Sequence, residues 1–316
     1  GTASAIQLRG MPKRYSTVFI DGVKMSDPSS VSNDFDFNNI LTSQVSRVEI
    51  LKGNQSSIYG SGAIGGTIHI FTKQGKSGFN KDIQYIAGSH NTHNVSASLS
   101  NGNDKFKYYL GLQRFQTDGI SQMTHNDEKD RYRNNTLVAN YAHEFTDKIE
   151  FKSNLRIAET YTQYDKETNS STADHSEELD GVQSSSNIAL VYKPNNQFTN
   201  KITLANTYIE RIAAATVSSG NANQDNYYGN RNAITYQGNY NLNLDNSILF
   251  GLEREDDQMG YNKDETGRID SNAYVTSKYF DYQSRITKNL YGTFGARFDE
   301  HSLAGNGSNE DSHRVT

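Results

Sequence analysis

Residues 47–73 read RVEILKGNQSSIYGSGAIGGTIHIFTK, and this glycine-rich stretch stands directly before a long region of alternating polar and apolar residues. Gly60, Gly62 and Gly65 match the spacing G-x-G-x-x-G of dinucleotide-binding loops letter for letter. The next residues, Thr67 to Phe71, alternate and are β-branched or aromatic, which predicts a strand where a dinucleotide site needs a helix N-terminus. The stretch therefore predicts a turn that leads into a β-strand and not a nucleotide site.

Composition excludes several classes of protein. The chain has 316 residues, a hydrophobic fraction of 34%, a net charge of −5 and no cysteine. No apolar run approaches the roughly 18 residues of a membrane-spanning helix, although alternating barrel strands would escape that test. The absence of cysteine excludes disulfides and thiolate sites, and the acidic balance argues against a nucleic-acid partner.

From Asp82 onward the chain alternates with a period of two residues. Phe106, Tyr108, Leu110 and Leu112 share one face of such a segment, which is typical of a half-polar β-strand. The same period recurs in about eleven segments of about 8 to 15 residues, enough to cross a bilayer at a steep tilt. The sequence therefore predicts a long antiparallel β-region.

Connections of two lengths alternate along this region, which is the layout of an outer-membrane barrel with trimmed turns at one end and long loops at the other. A soluble β-sandwich or solenoid is the alternative, although its strands are shorter and its loops are not sorted by length. The short connections are 101–104, 146–148, 194–197, 245–247 and 287–289; the long ones are 117–131, 165–182, 212–226, 256–270 and the tail after His301.

Two ordered motifs carry a family resemblance. Ile20 to Val23 read IDGV, and Val48 to Gly66 contain V-E-x-x-x-G followed by Y-G-x-x-A-I-G-G. Together they resemble the plug domain of TonB-dependent outer-membrane receptors. The resemblance assigns these positions to a structural motif of the plug: Asp21, Gly22, Glu49, Gly53, Tyr59, Gly60, Gly65 and Gly66.

The resemblance implies an all-β membrane fold, a transmembrane antiparallel β-barrel with part of an N-terminal α+β plug. Residues 1–75 would be the C-terminal part of the plug and residues 82–316 the first half of the barrel, with about 11 of about 22 strands. By that comparison the chain is a fragment that lacks the start of the plug and the last strands. Arg47, Glu49 and Lys52 are expected to form ion pairs between plug and wall, and a direct part in gating is the alternative.

The resemblance also implies a function. A plugged barrel would import a scarce nutrient and would not be an enzyme; its partners would be the TonB-ExbB-ExbD complex, outer-membrane lipid and the small-molecule nutrient. Within the family the similarity is greatest to cobalamin (vitamin B12) receptors, through Asn135 to Leu137, Thr146-Asp147 and Ala296 to Asp299. A ferric siderophore or haem receptor is the alternative cargo class. A passive porin, a surface adhesin and an outer-membrane hydrolase are alternatives of other classes; a porin would lack the plug motifs, and a hydrolase would show a catalytic cluster.

Two plug loops are expected to face the substrate, because the resemblance places them at the apex and because their donors and acceptors suit a bulky polar ligand. Ordinary solvated turns rich in proline and serine are the alternative interpretation. Two basic side chains in the first loop would favour an anionic ligand such as a ferric chelate. The loop residues are Met11, Pro12, Lys13, Arg14, Tyr15, Ser26, Asp27, Pro28, Ser29 and Ser30.

Acidic residues concentrate in the predicted long loops, and calcium takes 6 to 8 oxygen ligands that separate loops can supply. The resemblance to cobalamin receptors implies a calcium site there, whereas a solvated acidic surface is the alternative. No other cofactor is expected. The candidate ligands are Asp118, Glu128, Asp130, Asp165 and Asp180.

Overall fold

The computed structural model consists of a small sheet within the first 72 residues and a large sheet formed by the rest of the chain. We call them the inner sheet and the outer sheet. No helix in the described residues is long and apolar enough to cross a membrane. The described residues are 4–30, 32, 35–53, 55–121, 129–165, 176–216, 222–263, 267–305 and 308–315.

The inner sheet has the strand order β2-β1-β4-β3, in which β1 and β4 are parallel and the other pairs antiparallel. One short α-helix and four 3-10 turns complete the described part of this unit. The strands are β1 (Ser16–Ile20), β2 (Val23–Lys24), β3 (Val45–Lys52) and β4 (Gly66–Thr72), and the helix is α1 (Ser56–Tyr59). The 3-10 turns are Lys13–Tyr15, Phe37–Asn39, Thr42–Gln44 and Ser61–Ala63.

An apolar core holds the inner sheet together. β1 and β4 are the central strands, so most of their side chains are buried, including the polar Thr17 and Thr67. Each aliphatic side chain that is fully buried contributes about 1.5–3 kcal/mol. The core residues are Leu8, Val18, Ile20, Val23, Met25, Phe35, Ile68 and Ile70.

The glycines of residues 47–73 form turns and close backbone contacts. This agrees with the predicted turn before a β-strand. Gly60 ends α1 with φ at +83°, a conformation that side chains other than glycine rarely adopt. Gly66 begins β4 with φ at +135°, and a Cβ there would lie 2.4 Å from the carbonyl oxygen of Leu51. The predicted strand after the glycines is confirmed, since β4 runs through that segment.

The outer sheet is antiparallel throughout, and its strands follow one another in chain order. It has twelve strands in the described part of the chain, where the alternation predicts about eleven. They are β5 (Asn80–Gly88), β6 (Thr92–Gly102), β7 (Phe106–Thr117), β8 (Tyr132–Thr146), β9 (Ile149–Asp165), β10 (Ser176–Tyr192), β11 (Phe198–Thr216), β12 (Ala222–Asn241), β13 (Asn246–Lys263), β14 (Gly267–Thr287), β15 (Leu290–Gly305) and β16 (Ser308–Val315).

The outer sheet buries polar side chains and exposes apolar ones. On β11, Ile202 and Leu204 are each 47% exposed, whereas Thr207 is 1% exposed. Arg231 on the neighbouring β12 is 3% exposed. This distribution is the reverse of a soluble core and is what a membrane barrel requires, with an apolar band outside and a polar interior. It disfavours the soluble sandwich.

The predicted tight turns are present, and the predicted long connection 117–131 separates β7 from β8, but other predicted long loops are wrong in extent. β13 continues to Lys263 and β14 begins at Gly267, so most of the predicted loop 256–270 is strand. Most of 212–226 is also strand, residues 176–182 of the predicted loop 165–182 belong to β10, and β16 lies in the predicted polar tail. The ends of these strands are polar on both faces, so the alternation disappears although the backbone pairing continues.

The inner sheet lies within the curve of the outer sheet. Two hydrogen bonds show which part of it faces each end of the wall. Asn187, near the tight turn 193–197, donates a hydrogen bond to the backbone oxygen of Asp21 at 2.8 Å. Arg211, near the far end of β11, donates to the Oγ of Ser29 at 3.0 Å. We call the end that carries the tight turns the turn end and the opposite end the tip end. The predicted substrate loops therefore lie toward the tip end.

Candidate functional site

The loop after β2 is anchored to the outer sheet. The guanidinium of Arg231 donates to the backbone oxygen of Ser26 at 3.1 Å and to its Oγ at 2.6 Å. Arg211 forms an ion pair with Asp27 at 3.1 Å. Gly229 lies beneath Pro28, where a Cβ would come within 2.8 Å of the proline ring. These contacts position the loop against the wall.

The predicted substrate residues of this loop fall into a buried group and a half-buried group. Ser26 and Asp27 are buried, and their polar atoms are used by wall arginines or by the loop itself. Pro28, Ser29 and Ser30 are half-buried and lie closer to the open space at the tip end. Burial against the wall indicates an anchoring role for Ser26 and Asp27.

The loop before β1 is more open. Pro12 precedes a 3-10 turn over Lys13–Tyr15, and the side chains of Lys13 and Arg14 are exposed. The Arg14 guanidinium lies 5.1 Å from the ring centroid of Tyr15. The Gly65 amide donates to the Tyr15 carbonyl at 2.9 Å, which ties this loop to the glycine-rich stretch. Met11, half-buried, packs over Gly65.

Sequence reasoning missed a third segment at this level, residues 35–39. Asp36 caps a 3-10 turn by accepting from the Asn38 amide at 3.0 Å. The Tyr132 hydroxyl of β8 donates to the Asn38 carbonyl at 2.8 Å, and Arg156 of β9 donates to the Asn39 carbonyl. The sequence D-F-N-N is a capping and turn signal. It predicts a turn, but not that two wall strands bind it.

These three segments and the wall enclose a cavity of about 190 Å³, which we call the apical cavity. Its lining is mixed: carboxylates, amides and hydroxyls alternate with the apolar Phe35, Leu179 and Ile209. Convergent polar groups on a partly apolar surface are the ordinary features of a ligand site. The polar lining includes Ser4, Lys13, Asp27, Ser30, Asp36, Asn38, Asn39, Tyr132, Thr160, Thr162, Gln183, Glu210 and Arg211.

Arg211 is the wall cation of the apical cavity. It reaches Asp27 and Ser29 with one terminal nitrogen, and its guanidinium carbon lies 5.4 Å from the ring centroid of Tyr227. Among the described residues, its Nε is buried without a hydrogen-bond partner. A planar guanidinium with an unused N–H suits carboxylate or catecholate oxygens.

Buried ion pairs connect the inner sheet to the wall below the apical cavity. Arg297 is 4% exposed and binds Glu253 at 2.8 Å, Asp299 at 2.6 Å and the Ile58 carbonyl of α1 at 2.8 Å. Lys24 of β2 binds Glu255 at 2.7 Å. Removing one partner of such a network leaves a charge in a poorly solvated place, so these contacts hold the inner sheet in its position.

The charged residues of the glycine-rich stretch form other ion pairs than the predicted plug-to-wall pairs. Arg47 binds Glu49 at 2.6 Å on the exposed face of β3, and its guanidinium lies over the ring of Phe71 at 3.7 Å. The expectation that Arg47 and Glu49 pair with the wall is wrong for the described residues. The physical reason is that residues i and i+2 share one face of a strand.

Of the predicted calcium ligands, the structure describes the side chains of Asp118, Asp130 and Asp180. Asp118 binds Lys129 at 3.2 Å, and the hydrogen bond from Lys129 holds the pKa of that carboxyl below its usual range. Asp130 is buried, and Asp180 is exposed on β10. Glu128 and the side chain of Asp165 lie outside the described residues. Within the described part, no group of three His, Asp or Glu side chains is placed to hold a metal.

The inner sheet also contains a titratable aromatic cluster. His69 of β4 stacks on Phe19 at 4.9 Å and meets Tyr59 edge-on at 5.0 Å. Burial lowers the pKa of His69, and nearby Glu49 opposes that effect only in part. Burial likewise raises the pKa of Tyr59. His69 is therefore favoured in its neutral form in the folded protein.

Comparison with known proteins agrees with this geometry. Residues 1–67 match the family of the TonB-dependent receptor plug domain. Against solved structures the chain shows the same arrangement of a plug inside a curved antiparallel wall, with TM-scores of 0.74 to 0.76. The chain has the fold of a TonB-dependent receptor. The inner sheet and its loops are the plug, and the outer sheet is the barrel wall.

Three receptors of this fold illustrate the similarity. The ferripyoverdine receptor of the Pseudomonas aeruginosa outer membrane has a TM-score of 0.74 and 13% identity, over 94% of this chain and 46% of that one. The ferric enterobactin receptor of the same organism gives 0.75 and 16%, over 97% and 52%. A copper transporter gives 0.76 and 11%, over 95% and 51%. The chain thus spans about half the length of these three proteins.

Proposed function

We propose that the complete protein is an active transporter of a Gram-negative outer membrane, energised by the TonB-ExbB-ExbD complex. The observation that carries this proposal is that the plug fills the curve of the outer sheet, which would block the lumen of a closed barrel. The plug occupies the curve of the wall and is fixed there by buried ion pairs, such as Lys24 with Glu255. A pore blocked in this way does not conduct passively, so passage requires work on the plug. This argues against the passive porin.

The proposed cargo is an anionic metal chelate of the ferric siderophore class. Lys13 and Arg14 are exposed at the plug apex, and Arg211 supplies a cation from the wall. Receptors of ferripyoverdine and ferric enterobactin share the fold. Cobalamin, the cargo implied by the sequence resemblance, is the alternative. The calcium site that this resemblance implies in the extracellular loops remains a prediction; its candidate ligands are Asp118, Glu128, Asp130, Asp165 and Asp180.

Binding and uptake by the complete receptor test this function. Purified receptor is titrated with a ferric tris-catecholate, a ferric pyoverdine and cyanocobalamin, each with and without calcium. Uptake of the bound compound is then followed in cells with and without a functional TonB protein. We expect chelate binding without a calcium requirement and TonB-dependent uptake. Tight binding of cyanocobalamin alone would reverse the choice of cargo, and equal uptake without TonB would refute active transport.

A pair of variants tests the apical cations. Lys13→Gln combined with Arg14→Gln removes two exposed charges, and we expect chelate affinity to fall several-fold and to lose part of its salt dependence. Lys105→Gln, in the tight turn after β6, is the matched control at the turn end. A loss of affinity in the control as large as in the double variant would contradict a role of the apex.

A further inference from the structure

A second cavity system continues below the plug edge toward the turn end. One cavity of about 230 Å³ lies between the plug and β10 to β14. Another, of about 360 Å³, lies lower on the wall. Lys201 and Gln237 line both of them, and they face each other directly across β11 and β12. The two cavities therefore form one continuous strip of wall.

We call this strip the lower lane. Below the level of Glu253 and Glu255 its side chains are hydroxyls, amides, the apolar Leu249 and one lysine. Hydroxyls and amides exchange hydrogen bonds with a passing polar solute without binding it strongly. The lane reaches the tight turns at 193–197 and 242–245. Its residues are Thr199, Lys201, Thr203, Thr235, Gln237, Asn239, Ser247 and Gln283.

The acidic residues near the lower lane are already bound elsewhere. Glu255 pairs with Lys24 at 2.7 Å, and Glu253 pairs with Arg297 at 2.8 Å. The Asp21 carboxyl accepts two hydrogen bonds from Thr72, at 2.9 Å and 2.6 Å. The charges of Glu253 and Glu255 are thus balanced by Arg297 and Lys24, whereas the Asp21 carboxylate is held by two neutral donors.

Lys201 differs from its neighbours in this respect. In the part of the chain that the structure describes, no carboxylate forms an ion pair with it. Even Lys152, another basic residue of this wall, has Glu150 at 3.1 Å. A half-buried ammonium without a counterion in an otherwise neutral polar strip creates a local positive potential, and low-dielectric walls strengthen it.

From this geometry we propose that the lower lane is an exit path for anionic cargo, and that Lys201 supplies the charge that draws the cargo from the plug edge toward the turn end. The proposal rests on the transport function above and narrows it to anions. It gives Lys201 a role in passage and none in the first capture at the apical cavity. A neutral corrinoid would gain nothing from this charge.

Charge-selective labelling tests the potential of the lane without requiring transport. The 316 residues contain no cysteine, so Gln237→Cys in the complete receptor, freed of any other cysteine, places one thiol opposite Lys201. The thiol is reacted with a negatively and a positively charged methanethiosulfonate of similar size. We expect Lys201→Gln to lower the ratio of anionic to cationic labelling rates about tenfold, because one charge a few ångströms away acts in opposite senses on the two reagents.

The matched control is Lys193→Gln in the exposed turn beside β11, which should leave that ratio unchanged. An unchanged ratio in Lys201→Gln, an equal fall in the control, or a thiol that neither reagent reaches would each overturn the proposed lane. Correct folding of the variants is checked by their chelate affinity, which should match the parent receptor.

Uptake measurements provide a second test of the role of Lys201. Lys201→Glu should slow TonB-dependent uptake of a ferric tris-catecholate several-fold while its affinity stays constant, and Lys201→Arg should restore the rate. Uptake at the parent rate in Lys201→Glu would overturn the role in passage. If the parent receptor transports no chelate, the proposed function itself fails, whereas the labelling ratio still decides whether the lane prefers anions.

Discussion

The two sheets of this molecule use the same alternation of polar and apolar residues in opposite ways. In the plug, Ile20 and Ile68 point into a dry core. In the wall, Ile202 and Leu204 point away from the interior, and Thr207 and Arg231 point inward toward the plug. The difference shows that alternation defines the two faces of a strand but does not indicate which face packs against the rest of the protein. That choice depends on the medium outside each sheet.

The largest expected effect concerns charges on the two faces of the wall. Arg297→Met leaves Glu253 and Asp299 without their inner cation, and we expect a loss of about 3–5 kcal/mol of stability. Arg254→Met breaks an ion pair with Asp256 on the outer face, where both partners are nearly half exposed, and should reduce stability far less than Arg297→Met. Thermal unfolding of the complete receptor in detergent measures both. Equal losses of stability in the two variants would show that the buried inner network contributes no more than the exposed ion pair.

The next effect compares aliphatic side chains of the two sheets. Ile68→Ala opens a cavity in the plug core and should cost about 2–5 kcal/mol. Ile202→Ala removes the same atoms from the outer face of the wall and should change stability by about 0.5 kcal/mol. Unfolding in detergent, followed by a plug-specific probe such as protease access to the plug, separates the two. A larger loss from Ile202→Ala would reverse the assignment of faces.

A smaller effect is expected at the third apical segment. Tyr132→Phe removes the hydroxyl that donates to the Asn38 carbonyl and should cost about 0.5–1.5 kcal/mol. It should also loosen residues 35–39, which hydrogen exchange at the Asn38 and Asn39 amides would detect. Tyr291→Phe, on an exposed part of β15, is the control and should alter neither measurement.

The smallest effect is a pH dependence of the plug. Because the folded pKa of His69 lies below its unfolded value of about 6.5, the unfolded chain binds more protons as pH falls through this range. The contribution of His69 to stability is therefore complete above about pH 6.5 and is lost as pH falls through the folded pKa. His69→Phe should flatten the slope of the plug's thermal midpoint between pH 7 and 5. An unaltered slope would mean that other groups set it.

Much of the fold was predictable from local signals. The glycines after Lys52 indicated a turn, the alternation of Thr67 to Phe71 indicated β4, and tight turns such as 146–148 ended the strands close to where the structure ends them. These features depend on neighbours in the sequence. The long loops were overestimated because strands that are polar on both faces, such as the upper parts of β13 and β14, carry no periodic signal.

The candidate site was predictable only in part. Two of its plug segments were named from motif position, but residues 35–39 were missed, and the sequence did not indicate that Ser26 and Asp27 are held by wall arginines. The partners of those two residues, Arg231 and Arg211, lie about two hundred positions further along the chain. No local pattern records a pairing of that kind.

The sequence alone determined the class of this protein, because turn glycines, strand period and motif order are local and each is fixed by backbone sterics or by a two-residue repeat. The tertiary structure decided the rest: which face of each strand is dry and which charges pair between the plug and the wall. The pairing of Glu253 and Glu255 with Arg297 and Lys24, and the isolation of Lys201, arise only when distant strands meet. Electrostatic partners are set by distance in space, and a linear pattern does not contain that distance.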